Sequence, residues 1–150
     1  MNAPITFDPL KPSNHYLDTV AQWIFDEWSG GNGDSIAVIK GKLLQQSDAP
    51  PSQIAMLEDR PVGFVWLWRH QAQGESEPSL WINALYVHEQ YRKRGIASSL
   101  VKRAESLSKG FEDRLYAYTN IPEFYLRLGW KVHKDKNEED HWVVVHVNQR

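Results

Sequence analysis

Apolar residues along this chain change their spacing several times, and each change marks an element. Ile5 to Phe7 alternates as a short strand; Pro9 and Pro12 interrupt it, and Ser13 or Asn14 is suited to cap a helix. From Tyr16 onward, Leu17, Val20, Ala21, Ile24, Phe25 and Trp28 fall on one helical stripe. The Gly-rich run Ser29 to Ser35 is a loop, and a second helix over Ile36 to Gln46 ends before Ser47-Asp48-Ala49-Pro50-Pro51. Gln53 to Glu58 and Val62 to Arg69 read as strands joined by a short turn at Asp59-Arg60-Pro61. Leu80 to Val87 is apolar at nearly every position, the mark of a strand covered on both faces.

Helical spacing returns at Ile96, Leu100, Ala104 and Leu107, with Val101 beside them, and Gly110 is a suitable stop. Arg114 to Thr119 is a further strand, Pro122 to Leu128 a short helix with Gly129 at its exit. Trp130 to His133 and His141 to Val147 make a last pair around a charged stretch. The order β-α-α-β-β-β-α-β-α-β-β predicts a mixed α/β (α+β) domain: four helices on a sheet of about six to seven strands, antiparallel except around the crossover helix. No repeat or linker divides residues 1–150, which reads as a single domain.

Composition narrows the function classes. The absence of cysteine excludes disulfides, thiolate chemistry and Cys-based zinc sites, and no His-x-x-x-His pair suggests a metal. Seventeen Lys and Arg against 19 Asp and Glu give a net charge of −2, so no global field attracts nucleic acid or an anionic membrane. No signal peptide and no long apolar run is present, which predicts a cytoplasmic chain, monomeric or homodimeric. Seven Trp, six Tyr and five Phe are mostly core material, with some available to line a groove.

One local feature runs against helix electrostatics. Arg92, Lys93 and Arg94 precede the helix that opens at Ile96, where unpaired N–H groups and the positive dipole end already gather. Each such charge costs about 0.3–1 kcal/mol when exposed, so either the turn is merely solvated or it receives an anion. Gly95 and Ala97 favour the second reading, because small residues allow a phosphate close to the amides.

The stretch VHEQYRKRGIASSL resembles the acyl-CoA-binding signature of the GNAT superfamily of N-acetyltransferases: Val at a strand end, then Arg/Gln-x-x-Gly-x-Gly/Ala opening a helix, here Val87, Arg92, Gly95 and Ala97. Glu89 stands where the family commonly has Pro. The element order is also that of the family, so the resemblance spans nearly the whole chain. It implies acetyl-CoA as co-substrate; the missing His pair separately predicts no metal. Its pyrophosphate would lie on amides of Arg94, Gly95, Ile96, Ala97 and Ser98, and its pantetheine arm would pair with the backbone of Leu85 and Val87.

Asn120 to Trp130 resembles a second family segment, a helix carrying a Phe-Tyr pair and ending in Gly and an aromatic. By that resemblance Tyr125 protonates the departing thiolate; packing against the sheet is its alternative. An Asn that often contacts the cofactor is replaced by Tyr118, with Asn120 as the nearby substitute. The Glu that often serves as base is missing as well: the central strand has Trp81 and Asn83 at the positions taken to share a face with Leu85 and Val87. Asp26, Glu27, His133 and His141 remain as proton acceptors, each equally readable as an ordinary surface group.

The resemblance brings the acceptor in between the loop joining the first two helices and the loop joining the last two strands, beside Glu27, Trp81, Asn83 and His141. Asp26, Glu27, Asp135, Glu138, Glu139 and Asp140 make both walls acidic, which suits a cationic small molecule or a peptide amine. Two other functions stay open at this stage, a non-catalytic acyl-CoA or nucleotide-binding module and a protein-interaction domain.

Overall fold

A computed structural model describes residues 4–29, 34–44 and 48–148. Their seven strands form one sheet in the order β1-β2-β3-β4-β5-β7-β6, built from β1 (Ile5–Pro9), β2 (Gln53–Leu57), β3 (Arg60–His70), β4 (Ser79–Val87), β5 (Arg114–Thr119), β6 (Lys131–Lys134) and β7 (Trp142–Val147). Every pair is antiparallel except β4–β5, which the crossover helix α3 (Ile96–Ser108) joins in parallel. The mixed fold expected from the hydrophobic pattern is therefore the fold found.

Two apolar layers hold the helices to the sheet. On one face Ile96, Leu100, Val101 and Ala104 of α3, with Tyr125 of α4 (Pro122–Arg127), pack on Val65, Leu67, Leu80 and Ile82. On the other, α1 (Leu17–Ile24) and α2 (Ile36–Leu44) bring Val20, Ile24, Ile39 and Leu43 onto Ile54, Phe64 and Trp66. Gly63 lets β3 and β4 close under α3. A Cβ there would stand 2.6 Å from the Tyr86 carbonyl oxygen and 3.3 Å from Leu100 Cδ1.

Several boundaries differ from the pattern-based reading. β1 continues through Pro9, which an edge strand tolerates because one of its sides needs no N–H donor. The β2–β3 turn is Glu58-Asp59, with Leu57 paired to Arg60 and Glu58 at φ 56°. The first helix leaves α geometry after Ile24, and Phe25–Ser29 forms a π turn. Since the apolar stripe runs on through both, side-chain spacing does not reveal the change. Gly30 to Gly33 of the expected loop, and the expected helix end at Gln45 and Gln46, lie outside the described residues. Trp130 does not begin β6. It is buried at the exit of α4, where its N–H donates to the Tyr125 carbonyl and Gly129 turns at φ 97°.

The largest departure from regularity is in β4. Trp66 pairs with Ala84, but Leu67 pairs with Ile82, so Asn83 is an extra residue and forms a β-bulge. The bulge reverses the alternation: Leu80 and Ile82 face α3, as do Leu85 and Val87 beyond it, whereas Ala84 and Tyr86 face α1 and α2. Trp81, paired with Trp68, thus stands on the face opposite Leu85, a correction to the uninterrupted period of two. β4 meets β5 only at Trp81–Tyr116 and Ile82–Ala117, and past the bulge the two strands part.

Candidate active site

The gap between β4 and β5 opens onto the turn that precedes α3. His88 starts this turn by accepting from the Gln90 N–H, and a single 3₁₀ turn follows at Glu89–Tyr91. Lys93 and Gly95 then take left-handed conformations, φ 66° and 80°. Gly95 is the N-cap of α3 and no side chain caps the helix, so its first amides have no intrahelical acceptor. Among the described residues, no atom beyond its own chain neighbours lies within 4 Å of where a Gly95 Cβ would be. Glycine is required here for its backbone angle, and the same choice leaves the amides uncovered.

Arg92 donates from Nε to the Val87 carbonyl oxygen at 2.8 Å, and its guanidinium lies 5.7 Å from the centre of the Tyr86 ring. Arg94 covers the Tyr91 ring at 5.5 Å. These contacts hold both cations beside the helix start, without an acidic partner among the described residues. Burial, reinforced by Glu27, raises the Tyr86 phenol above its ordinary pKa, with Arg92 opposing.

A cavity of about 420 Å³ occupies the gap. Of the cofactor residues expected from sequence, Leu85, Val87, Arg92, Gly95, Ile96, Ala97 and Ser98 line it. Arg94 does not, because it is turned onto Tyr91. Asn120 is exposed, outside the wall, and does not cap α4: Thr119 Oγ1 accepts from the Ile121 N–H instead. Glu27, expected beside the acceptor, also lines this cavity, with Trp28 from the π turn and Ile121 and Phe124 from the opposite side. Sequence reasoning misses Trp28, Tyr86 and Phe124. Phe124 is the immediate neighbour of Tyr125, and only the helix phase separates them.

Tyr125 is 4% exposed and packed behind Phe124, ring centres 5.1 Å apart, and against Trp130 at 4.9 Å. Its hydroxyl makes no hydrogen bond among the described residues. Burial pushes the phenol well above its usual pKa, so it is protonated at any physiological pH.

Two more cavities continue from the first along the α1–α2 face. One of about 300 Å³ shares Trp28 with it and includes Trp66, Trp68 and Asn83. The next, about 550 Å³, shares Trp68 and Asn83 and extends to Trp81, Tyr118 and Lys134. Expected acceptor residues Trp81 and Asn83 are therefore brought together. His141 is not in the wall. It stacks on Tyr118 at 4.4 Å, and Asn137 donates to the Tyr118 hydroxyl at 2.7 Å, so the β6–β7 loop is tied to β5.

Lys134 at the end of β6 and Asn137 of that loop line the trough; Glu138, Glu139 and Asp140 do not, which corrects the expectation of an acidic wall. Asp26 accepts from Gln22 Nε2 at 2.9 Å, and His133 packs its ring against Tyr116. A separate cavity of about 520 Å³, between α3 and β7, contains none of the expected site residues. Among the described residues no cluster of three or more His, Asp or Glu could hold a metal, and no helix is long and apolar enough to cross a membrane.

Residues 50–132 match the family model described as "Acetyltransferase (GNAT) domain". Similar solved structures include Arabidopsis thaliana NAA60 in complex with acetyl-CoA, at 20% identity and TM-score 0.72, covering 97% of this chain and 100% of that one. An aminoglycoside 6'-acetyltransferase type Ii aligns at 19% identity and TM-score 0.75, covering 97% of this chain and 99% of that one. An acetyltransferase from Thermus thermophilus aligns at 16% identity and TM-score 0.70, covering 99% of this chain and 100% of that one. At these identities the likeness is one of fold. No curated protein sequence matches the chain.

Proposed function

The chain belongs to the GNAT acetyltransferase family, and on that premise we propose that it transfers an acetyl group from acetyl-CoA to a primary amine of a small molecule, directly and without an acyl-enzyme. The observation that carries this reading is the parting of β4 from β5 beside the uncapped start of α3. A thioester arm is long, narrow and rich in amides, and the free edge of β4 offers it a strand's hydrogen-bonding groups. A pyrophosphate is doubly anionic, which suits the amides of Ile96, Ala97 and Ser98 and the charge of Arg92 and Lys93. The residues present therefore fit the co-substrate.

Acetyl-CoA, when bound, supplies the activated acetyl group; the protein's own residues position the reactants and manage protons. Tyr125 keeps its proton on Oη and would offer it to the leaving sulfur once Phe124, which stands between it and the cavity, turns aside. Complete transfer from a phenol of pKa about 10 to a thiolate of about 8.5 is uphill by about 2 kcal/mol, and burial widens that gap, so Tyr125 acts through a hydrogen bond to the sulfur. Leu85, Val87 and Phe124 exclude water from the reacting end. The amine arrives along the trough from Asn83 and gives up its proton to solvent near Glu27.

Thermal-shift titration tests the reading. Acetyl-CoA should raise the melting temperature with concentration, while NAD and ATP should raise it little. Release of free CoA thiol with an amine library then detects turnover. Absence of stabilisation by acetyl-CoA overturns the reading, and stabilisation without turnover on any amine reduces it to binding alone.

A further inference from the structure

The walls of the trough beyond Trp28 are mainly indole rings, and their edges are polar. Trp66 and Trp68 lie 5.7 Å apart, Trp68 stacks on His70 at 5.4 Å and 9°, His70 meets Trp81 at 6.1 Å, and Trp81 stacks on Tyr116 at 5.1 Å. This continuous run of rings crosses β3, β4 and β5 on the sheet face that carries α1 and α2. Around it the side chains of His70, Gln73, Asn83 and Lys134 line the cavity, and none makes a hydrogen bond or ion pair among the described residues.

Trp66, 6% exposed and lining the adjoining cavity, is a second and independent sign. Its Nε1 is a buried side-chain polar atom without a hydrogen-bond partner. A buried donor left unmatched costs about 1–3 kcal/mol, which a ligand oxygen reaching it would recover.

Flat apolar surfaces edged by uncommitted polar groups suit a ligand that is apolar on its faces and polar around its rim. A pyranose has that form, with C–H bonds on its faces and hydroxyls at its edge. A linear polyamine has no face to stack, and an arylalkylamine leaves the rim groups and the Trp66 N–H unanswered. Resting on the acetyltransferase reading, we infer that the acceptor is an amino sugar, its ring stacked on Trp68 and Trp81 and its amine held by the Asn83 amide at the end nearer Trp28. A C–N bond then forms as the C–S bond breaks: the ammonium gives one proton to solvent before it attacks and a second as the amide forms, while the sulfur leaves as a thiolate hydrogen-bonded by Tyr125 and takes up one proton from solvent, for a net release of one proton.

The test is isothermal titration of the whole chain with D-glucosamine, phenethylamine and spermidine, alongside acetyl-CoA on the same preparation. Glucosamine should bind saturably and at least about tenfold more tightly than either other amine. Asn83→Ala, at an exposed position without hydrogen bonds, and Trp81→Leu should each weaken glucosamine by about fivefold or more, with acetyl-CoA binding unchanged. If Trp81→Leu does not fold, Asn83→Ala and His70→Ala carry the comparison. Tighter binding of phenethylamine or spermidine overturns the inference, as does unchanged glucosamine affinity in the variants, provided acetyl-CoA still binds. Failure of the unmodified chain to bind acetyl-CoA overturns the underlying reading instead.

Discussion

Arg92 Nε donates to the carbonyl of Val87 at 2.8 Å, so the last residue of β4 is held by the side chain of the turn that follows it. The guanidinium also covers Tyr86, so one cation braces the strand end and lies beside the start of α3, the proposed anion site. The Val87 carbonyl, expected from sequence to pair with the pantetheine arm, already accepts this bond, and pairing there would draw on its second lone pair. Replacing Arg92 by Gln should weaken acetyl-CoA by about tenfold and flatten the dependence of affinity on salt. Titration between about 50 mM and about 500 mM NaCl measures both; an unchanged salt slope removes Arg92 from the anion site.

Gly95 separates backbone strain from charge. Gly95→Ala meets no neighbouring atom but must hold φ 80°, at a cost of about 1–2 kcal/mol in stability, read from denaturant unfolding. Gly95→Asp adds a carboxylate at the helix start and should lower acetyl-CoA affinity well over tenfold beyond the alanine variant. Equal affinities in the two would mean that no anion binds there.

Tyr125 makes two signed predictions. Tyr125→Phe should lower kcat by about 10–1,000-fold with little change in acetyl-CoA affinity, measured under conditions where chemistry limits the rate. The phenol's pKa is raised on folding, so the unfolded chain loses this proton near pH 10 while the folded one keeps it. Its contribution to stability is full below about pH 10 and is lost progressively above. Unfolding of the parent protein should therefore become easier between about pH 9.5 and about pH 11 more steeply than that of Tyr125→Phe; parallel profiles would place the phenol in contact with solvent.

Glu105 is 8% exposed and accepts from Trp130 Nε1 at 2.9 Å. Trp130→Phe should cost about 1.5–3 kcal/mol, since it removes the donor to a buried carboxylate as well as some packing. Adding Glu105→Gln to that variant should restore part of the loss, which a double-mutant cycle by chemical denaturation reports.

The sequence and the structure agree where residue type and geometry are linked. Leu80 to Val87 followed by Ile96 to Leu107 reads as a strand and a helix because a short run apolar at nearly every position gives way to a spacing of 3.6, and Gly95 is demanded by φ 80°. Disagreement arises where geometry leaves no compositional trace. The bulge at Asn83 inserts one residue of unexceptional type, yet it moves Trp81 to the opposite face from Leu85. The π turn at Phe25–Ser29 likewise keeps the apolar stripe while bringing Glu27 and Trp28 to the cavity beside the start of α3. Phe124, in the cavity wall, and Tyr125, behind it, differ only by one step of helix rotation that no spacing rule resolves.

The parting of β4 from β5 also has a temporal side. Amides of β4 that turn toward the gap have no neighbouring strand, so solvent deuterium should replace their protons quickly while those facing β3 persist. A pantetheine arm lying in the gap would be the missing neighbour, and each catalytic cycle would then mend and reopen the middle of the sheet. Deuterium uptake over residues 84–87 would thereby become a clock for cofactor residence, slow while the thioester is held and fast once CoA has left.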